Sequence, residues 1–445
     1  MRAPMNILLC STPVHGHVTP LLAVSAALVE RGHRVFFLTG ARYAGRAADT
    51  GATVLPLPAE ADYDDTDMDA AFPGRVGLTG PAGIRYDMRA IFLAPARAQL
   101  AAVDTAIARH GIDVVLAESL FLGAALLTAR PRASRPAVLN LGIVPLGLRS
   151  RDTAPFGLGV APKPGPTGRL RNAALTLVAE KAIFAPVQKE AVRIALEAGA
   201  PLGGFILDWP SHSDGVVQFT VPSFEYPRPD VTVPVHFVGP VSRTQRSDTP
   251  LPAWWGDLDD GRPIVHVTQG TVANRELGDL VLPTIRALAD ADVWVIASTG
   301  GRPVLDLGES LPANARVAPY LPYDDLLPRT AVYVTNGGYG GVHYAMEHGV
   351  PIVIAGTTED KTEVSARVAW TGAGVSLRTN QPTQEAIAAA VRTVLADRRY
   401  AEASARIGAD IRSSSGLDGV ERAVVEACAP GATRPRRTST SPSRR

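Results

Sequence analysis

Short apolar blocks alternate with longer amphipathic stretches along most of the chain, and the alternation occurs twice. Residues 6–10 (NILLC) form an unbroken apolar block of the kind buried on both faces of a parallel sheet. A polar loop, STPVHGHVTP, follows. Apolar residues then recur at helical spacing over 20–31, with Pro20 suited to a first turn and Gly32 to the position after the last turn. The next apolar block is 34–38 (RVFFL), so this stretch predicts a βαβ unit with a right-handed crossover. Further strands are expected at 53–57, 112–117 and 137–141, and helices near 87–110, 119–130 and 168–198. Residues 58–86 and 145–167 are rich in Gly and Pro, with Asp added in the first, and read as long loops or lids.

The second pass begins near 262. Strands are expected at 263–268, 292–297, 331–335 and 350–354, with a short extended segment at 315–318. Helices are expected near 276–290, 341–348, 362–371 and 383–395. The pattern predicts an α/β protein of two Rossmann-like domains. The first covers 1–238 and the second 263–400, joined by a Pro-, Gly- and charge-mixed linker at 239–262. Trp254 and Trp255 read as anchors holding that linker to a domain. Residues 430–445 are basic, Ser- and Pro-rich and expected to be disordered.

Length and composition agree with this division. A chain of 445 residues is long for one core and natural for two of roughly 200 residues each. A net charge of +1, with no basic face in the body of the chain, speaks against nucleic acid as a partner. Two cysteines, Cys10 and Cys428, exclude a disulfide scaffold and suit a reducing cytoplasm. No stretch reads as the run of roughly 20 apolar residues that spans a bilayer. The expectation is a soluble, cytoplasmic protein.

Candidate chemistry lies in the loops after strands, because open α/β sheets bind ligands at the carboxyl ends of their strands. His15 and His17 stand in the first such loop, and an imidazole there can serve as a general base near neutral pH. Glu118, directly after 112–117, offers a carboxylate to orient it. The alternative is two loop histidines bonded to backbone. No third ligand suggests a metal. The turn TNGGYGGV (335–342) brings Gly337, Gly338, Gly340 and Gly341 to a strand-to-helix junction, as a diphosphate cradle or simply a tight turn. Gln269, Gly270 and Thr271 form a second phosphate candidate. In GTTEDK (356–361), Asp360 suits sugar hydroxyls or the start of the next helix.

Taken in order, GHVTP-LL…ERGHRV and then APYLPYDDLL…VTNGGYGG…GVPIV…ED resemble glycosyltransferase family 1, and within it the bacterial macrolide and natural-product enzymes. The resemblance covers Asn6 to about Cys428. It implies the GT-B fold, with acceptor bound by the first domain, nucleotide sugar by the second, and a last helix (401–429) crossing back to the first. It places the catalytic base at His17 rather than His15, and its orienting carboxylate at Glu118, where the family has Asp. Tyr320 would stack on the nucleobase, Leu321 would contact it through backbone, and Thr271 would touch phosphate. Asn336 stands where the family has a phosphate-binding His, and Tyr344 where it has a ribose-gripping Glu. Asp360-Lys361 replaces the family's acidic-Gln pair for sugar hydroxyls.

The implied reaction is inverting transfer from a UDP- or dTDP-sugar to a hydroxyl of a small hydrophobic acceptor, with no metal and no other cofactor. Loss of the ribose-binding Glu favours dTDP slightly. Phe72, Tyr86, Met88, Phe92, Phe121 and Phe156 are candidates for the acceptor pocket. Two rivals stand beside this reading. One is a catalytically inactive homologue acting as an auxiliary partner, suggested by the substitutions at 118, 336, 344 and 361. The other is a nucleotide-sugar epimerase, disfavoured by the apolar loops 72–95 and 141–160. A nicotinamide oxidoreductase is disfavoured by the absence of the dinucleotide glycine pattern.

Overall fold

The computed structural model describes residues 4–241, 249–270, 276–304 and 311–429. Thr271, part of the linker and the basic tail lie outside the described residues. Two parallel sheets organise the rest. The first contains β1 (Asn6–Cys10), β2 (Arg34–Thr39), β3 (Thr53–Pro56), β4 (Val114–Glu118), β5 (Ala137–Gly142), β6 (Gly215–Gln218) and β7 (Val235–Phe237), in the order β3-β2-β1-β4-β5-β6-β7. The second contains β8 (Ile264–Thr268), β9 (Trp294–Ser298), β10 (Ala315–Ala318), β11 (Thr330–Thr335), β12 (Ile352–Ile354) and β13 (Gly374–Ser376), in the order β10-β9-β8-β11-β12-β13. In each sheet the chain starts at a central strand and reverses direction beside it, which opens a crevice at the carboxyl ends of β1/β4 and of β8/β11.

The central strands are apolar on both faces because helices cover both. Leu8 and Cys10 pack with Leu100, Val103 and Leu126 on one side. Ile7 and Leu9 pack with Leu21, Val24 and Leu28 on the other. The last helix, Gly416–Cys428, follows the second sheet in sequence yet buries Val420, Ala423 and Val424 in the latter core, against the first sheet. Trp254 and Trp255 join the cluster of Leu258, Trp294 and Leu326 and so fasten the linker to the second sheet.

Several expectations need correction. The first helix begins at His15, not at 20, and Pro20 lies inside it. Val14 is extended, and its carbonyl accepts from the His17 and Val18 amides at 2.9 Å each, so the helix is already under way before the proline. The helix over 87–110 is instead Gly80–Tyr86, a wide π turn at Asp87–Leu93, and Ala96–His110. By length and composition alone this run could cross a bilayer, contrary to the expectation that no such stretch exists. Leu93, Ala96, Leu100, Val103 and Ala106 on it are nonetheless buried in the core of the first domain. Strands β6, β7 and β13, each of three or four residues, were not expected.

Candidate active site

The first strand ends at Cys10, and its continuation carries Ser11 and Thr12 over the carboxyl edge of the sheet. His17 lies two residues into the following helix, on its first turn. The neighbouring strand β4 ends on Glu118, which is paired with Leu141 in the sheet rather than placed beyond the strand. Sheet pairing therefore sets the two groups side by side. His17 Nδ1 stands 3.2 Å from Glu118 Oε2. Thr12 closes the set: its hydroxyl donates to Glu118 Oε1 at 2.9 Å and lies 3.0 Å from His17 Nδ1. The amides of Thr12 and Leu120 also donate to this carboxylate, at 3.2 and 2.6 Å. With Nδ1–H turned to Glu118, Nε2 is the nitrogen left to face a substrate.

Burial raises the Glu118 pKa, but the imidazole, the Leu120 amide and the Thr12 hydroxyl outweigh it and hold the carboxylate below its ordinary range. Burial likewise favours a neutral His17. The charge and hydrogen bond of Glu118, with Asp360 and Glu359 from the second domain, outweigh that and raise its pKa above 6.5. The charge of Asp360 favours the His17 cation, and that of His17 favours the Asp360 carboxylate. His15 is set differently: its amide donates to Asp65 at 2.7 Å, and burial with nearby Arg46 lowers its pKa.

On the other side of the cleft, β11 runs into Asn336 and Gly337. Gly337 has φ +95°, a conformation costly for any side chain, and a Cβ there would stand 2.9 Å from Ile354 Cδ1. Gly338 caps a helix that starts at Tyr339, so Gly340 and Gly341 belong to its first turn and not to the preceding loop. Their position presents helix N–H groups and the positive end of the helix dipole at the sheet edge. The Asn336 side-chain Nδ2 donates to the Gln269 carbonyl at 2.7 Å, tying this turn to the loop after β8.

Tyr320, just past β10, is 56% exposed, whereas Leu321 is buried. Asp360 is partly buried, and burial with the charge of Glu359 pushes its pKa up to about 6 against the pull of Lys361. The Lys361 ammonium is engaged with Glu359 at 2.5 Å, so its charge is already matched. The Tyr344 hydroxyl points to Asp324 Oδ1, 3.3 Å away.

Of the apolar candidates, Phe92 stacks nearly parallel to the His17 ring, with centroids 6.1 Å apart, and Phe72 meets Tyr63 edge-on. Phe121 is fully buried in the core of the first domain, and so is not pocket lining. Sequence reasoning missed Thr12, although it stands in the loop that carries His17. It also missed Tyr63, whose buried hydroxyl has no partner among the described residues and lies close enough to Glu118 for its charge to raise the phenol pKa.

The chain is 41% identical over 407 residues to the 4'-demethylrebeccamycin synthase of Lentzea aerocolonigenes, covering 90% of this chain and 94% of that protein. The chain belongs to glycosyltransferase family 1. Residues 283–426 match the family described as erythromycin biosynthesis protein CIII-like, C-terminal domain. UDP-glycosyltransferase 2 of Phaeomoniella chlamydospora is 34% identical over 416 residues, with 89% of this chain and 90% of that one covered. Among solved structures, the calicheamicin glycosyltransferase CalG4 superposes with a TM-score of 0.71 at 22% identity, covering 96% of this chain and 99% of that one. The fold of this glycosyltransferase is thus GT-B, and the protein is a sugar-transferring enzyme.

An exposed aromatic ring beside β10 suits stacking on a flat base. Tyr320→Ala is expected to weaken UDP or dTDP binding about tenfold, since one base–aromatic stack contributes roughly 1–3 kcal/mol. Titration calorimetry checks this, with unchanged circular dichroism as the control for folding.

Proposed function

We propose that this glycosyltransferase moves a sugar from a UDP- or dTDP-sugar to a hydroxyl of a small hydrophobic acceptor with inversion at the anomeric carbon. The observation that carries the proposal is the hydrogen-bonded set of Thr12, His17 and Glu118 at the carboxyl end of the first sheet. His17 Nε2 takes the acceptor proton. The acceptor oxygen bonds to the anomeric carbon from the face opposite the diphosphate, and the bond to the diphosphate breaks. Glu118 keeps the imidazole oriented and stabilises the imidazolium that forms. The charge gathering on the diphosphate is met by N–H groups of the 337–341 turn, with Thr271 in the same role, and no metal is needed.

Asp360 takes the sugar hydroxyls and Tyr320 the base. Relatives named as UDP-glycosyltransferases, and a related fold solved with dTDP at 20% identity, support a nucleoside diphosphate donor. Tyr344 in place of an acid favours a donor lacking the ribose 2′-hydroxyl. The two cysteines are free, which supports a reducing cytoplasmic location.

Calorimetry with UDP and dTDP, each with and without magnesium, tests the donor half. Metal-independent binding of either supports the proposal, and no binding of both favours the inactive-homologue reading. A second prediction follows from the pKa of His17, raised above 6.5 chiefly by Glu118 once burial is outweighed. Only neutral His17 accepts a proton, so kcat/KM is expected to fall as pH drops through that raised pKa. Removing the carboxylate charge in Glu118→Gln should move the acidic limb to lower pH while lowering the plateau. A pH–rate profile with the limb unmoved in Glu118→Gln would show that another group is the base.

A further inference from the structure

The helix Lys361–Thr371 begins at the donor-side residues Asp360 and Lys361, and its next turns reach the first domain. Glu363 Oε1 accepts from the amides of Gly157 and Gly159, at 2.8 and 2.9 Å. Both glycines have positive φ, +96° and +59°, so the backbone is bent to aim two N–H groups at a single carboxylate oxygen. Gly159 is also the point of closest approach. A Cβ there would stand 2.7 Å from the Thr362 methyl and 3.0 Å from the Thr362 carbonyl oxygen. One turn further along, Arg367 bonds Glu363 Oε2 at 2.7 Å, Glu225 Oε2 at 2.9 Å and the Leu146 carbonyl at 3.1 Å. Glu225 Oε1 in turn accepts from the Leu146 amide at 2.8 Å. Leu146 and Gly159 are the two ends of one loop, and both are held by one helix of the opposite domain. Between them the Phe156 ring folds onto Gly147 and stays 40% exposed.

We propose that Glu363 is a positioning residue: from the donor domain it clasps the acceptor-side loop 146–159, so that loop adopts its binding form only when the helix starting at Asp360 is in place. The proposal rests on reading the cleft as the transfer site. It makes donor binding at 360–361 and acceptor binding at 146–159 reciprocal, since a ligand that fixes one end of a rigid helix also fixes what its other turns hold. The helix is short and buried along this side, with Glu363, Val364, Arg367 and Val368 all buried, so it moves as a unit.

Hydrogen–deuterium exchange of the peptide spanning 146–160, with and without UDP or dTDP, tests this in the full chain and in Glu363→Gln, Glu363→Ala and Gly159→Ala. In the unaltered protein, nucleotide is expected to slow exchange of this peptide. In Glu363→Ala the unliganded loop should exchange faster and the nucleotide effect should vanish, while nucleotide affinity stays within threefold. Glu363→Gln keeps an acceptor oxygen for the two amides and should restore most of the protection. Gly159→Ala reaches the same clasp from the loop side and should reproduce Glu363→Ala if that variant fails to fold.

With 4-methylumbelliferone as acceptor, KM is expected to rise about tenfold and kcat to change little. Exchange of 146–160 that is unchanged in Glu363→Ala overturns the proposal, as does nucleotide protection that survives in it. An unchanged acceptor KM in a variant whose loop has loosened overturns it too. If neither nucleotide alters exchange anywhere, including 335–341, the donor-site reading fails instead, and the unliganded comparison alone then decides the clasp.

Discussion

His17→Ala is expected to lower kcat by about two to four orders of magnitude, the usual worth of a positioned general base, while leaving nucleotide affinity within twofold. The size follows from how the imidazole is held. Its Nδ1 is held by Glu118 at 3.2 Å and flanked by the Thr12 hydroxyl at 3.0 Å, so only Nε2 is presented to substrate. His15, one residue removed from the neighbour of His17, cannot substitute. Its amide is bound to Asp65, and burial with Arg46 lowers its pKa against the pull of Asp65. The proposed donor groups lie on the other domain, which is why binding and turnover should separate. Steady-state kinetics with calorimetry on the same preparation measure both. Equal loss of binding and turnover would show that His17 supports the cleft rather than the proton transfer.

Much of this site is legible in the amino-acid sequence because its parts are local. Apolar blocks such as NILLC and the stretch ending in Glu118 carry their own strand signal, and residues that follow such blocks fall at one edge of the sheet. The paired glycines after β11 are readable for the same reason. What is not legible depends on geometry that sequence neighbours do not fix. Pro20 has the look of a first-turn proline, but the carbonyl of Val14 starts the helix earlier and leaves Pro20 inside it. That shift moves His17 from a flexible loop to a rigid turn. The edge strands β7 and β13 have three residues each, too few for a period to show. Lys361 reads as available to sugar hydroxyls, yet its ammonium is engaged by Glu359 two residues back. The partnership of Glu225 with Arg367 spans 142 positions and has no sequence signal.

That partnership carries the second large effect. Arg367→Met is expected to destabilise the protein by about 3–5 kcal/mol, the range for breaking a buried ion pair from one side. The guanidinium is 0% exposed and sits between the carboxylates of Glu225 and Glu363, which are 1% and 5% exposed. It also lies over the Tyr226 ring, 4.3 Å from its centroid. Methionine fills much of the volume but carries no donor, so both carboxylates lose their main partner. The nearest remaining cation is Arg228, 3.6 Å from Glu225. Without Arg367 both carboxylates are left buried without the guanidinium that they share.

Thermal unfolding at pH 7 measures this. A drop in midpoint on the order of 10 °C is expected. Adding Glu225→Gln and Glu363→Gln to Arg367→Met should recover much of the loss, because neutral amides are far less costly to bury than unpaired charges. A drop unrelieved in the triple variant would assign the loss to packing around Tyr226 rather than to the stranded carboxylates.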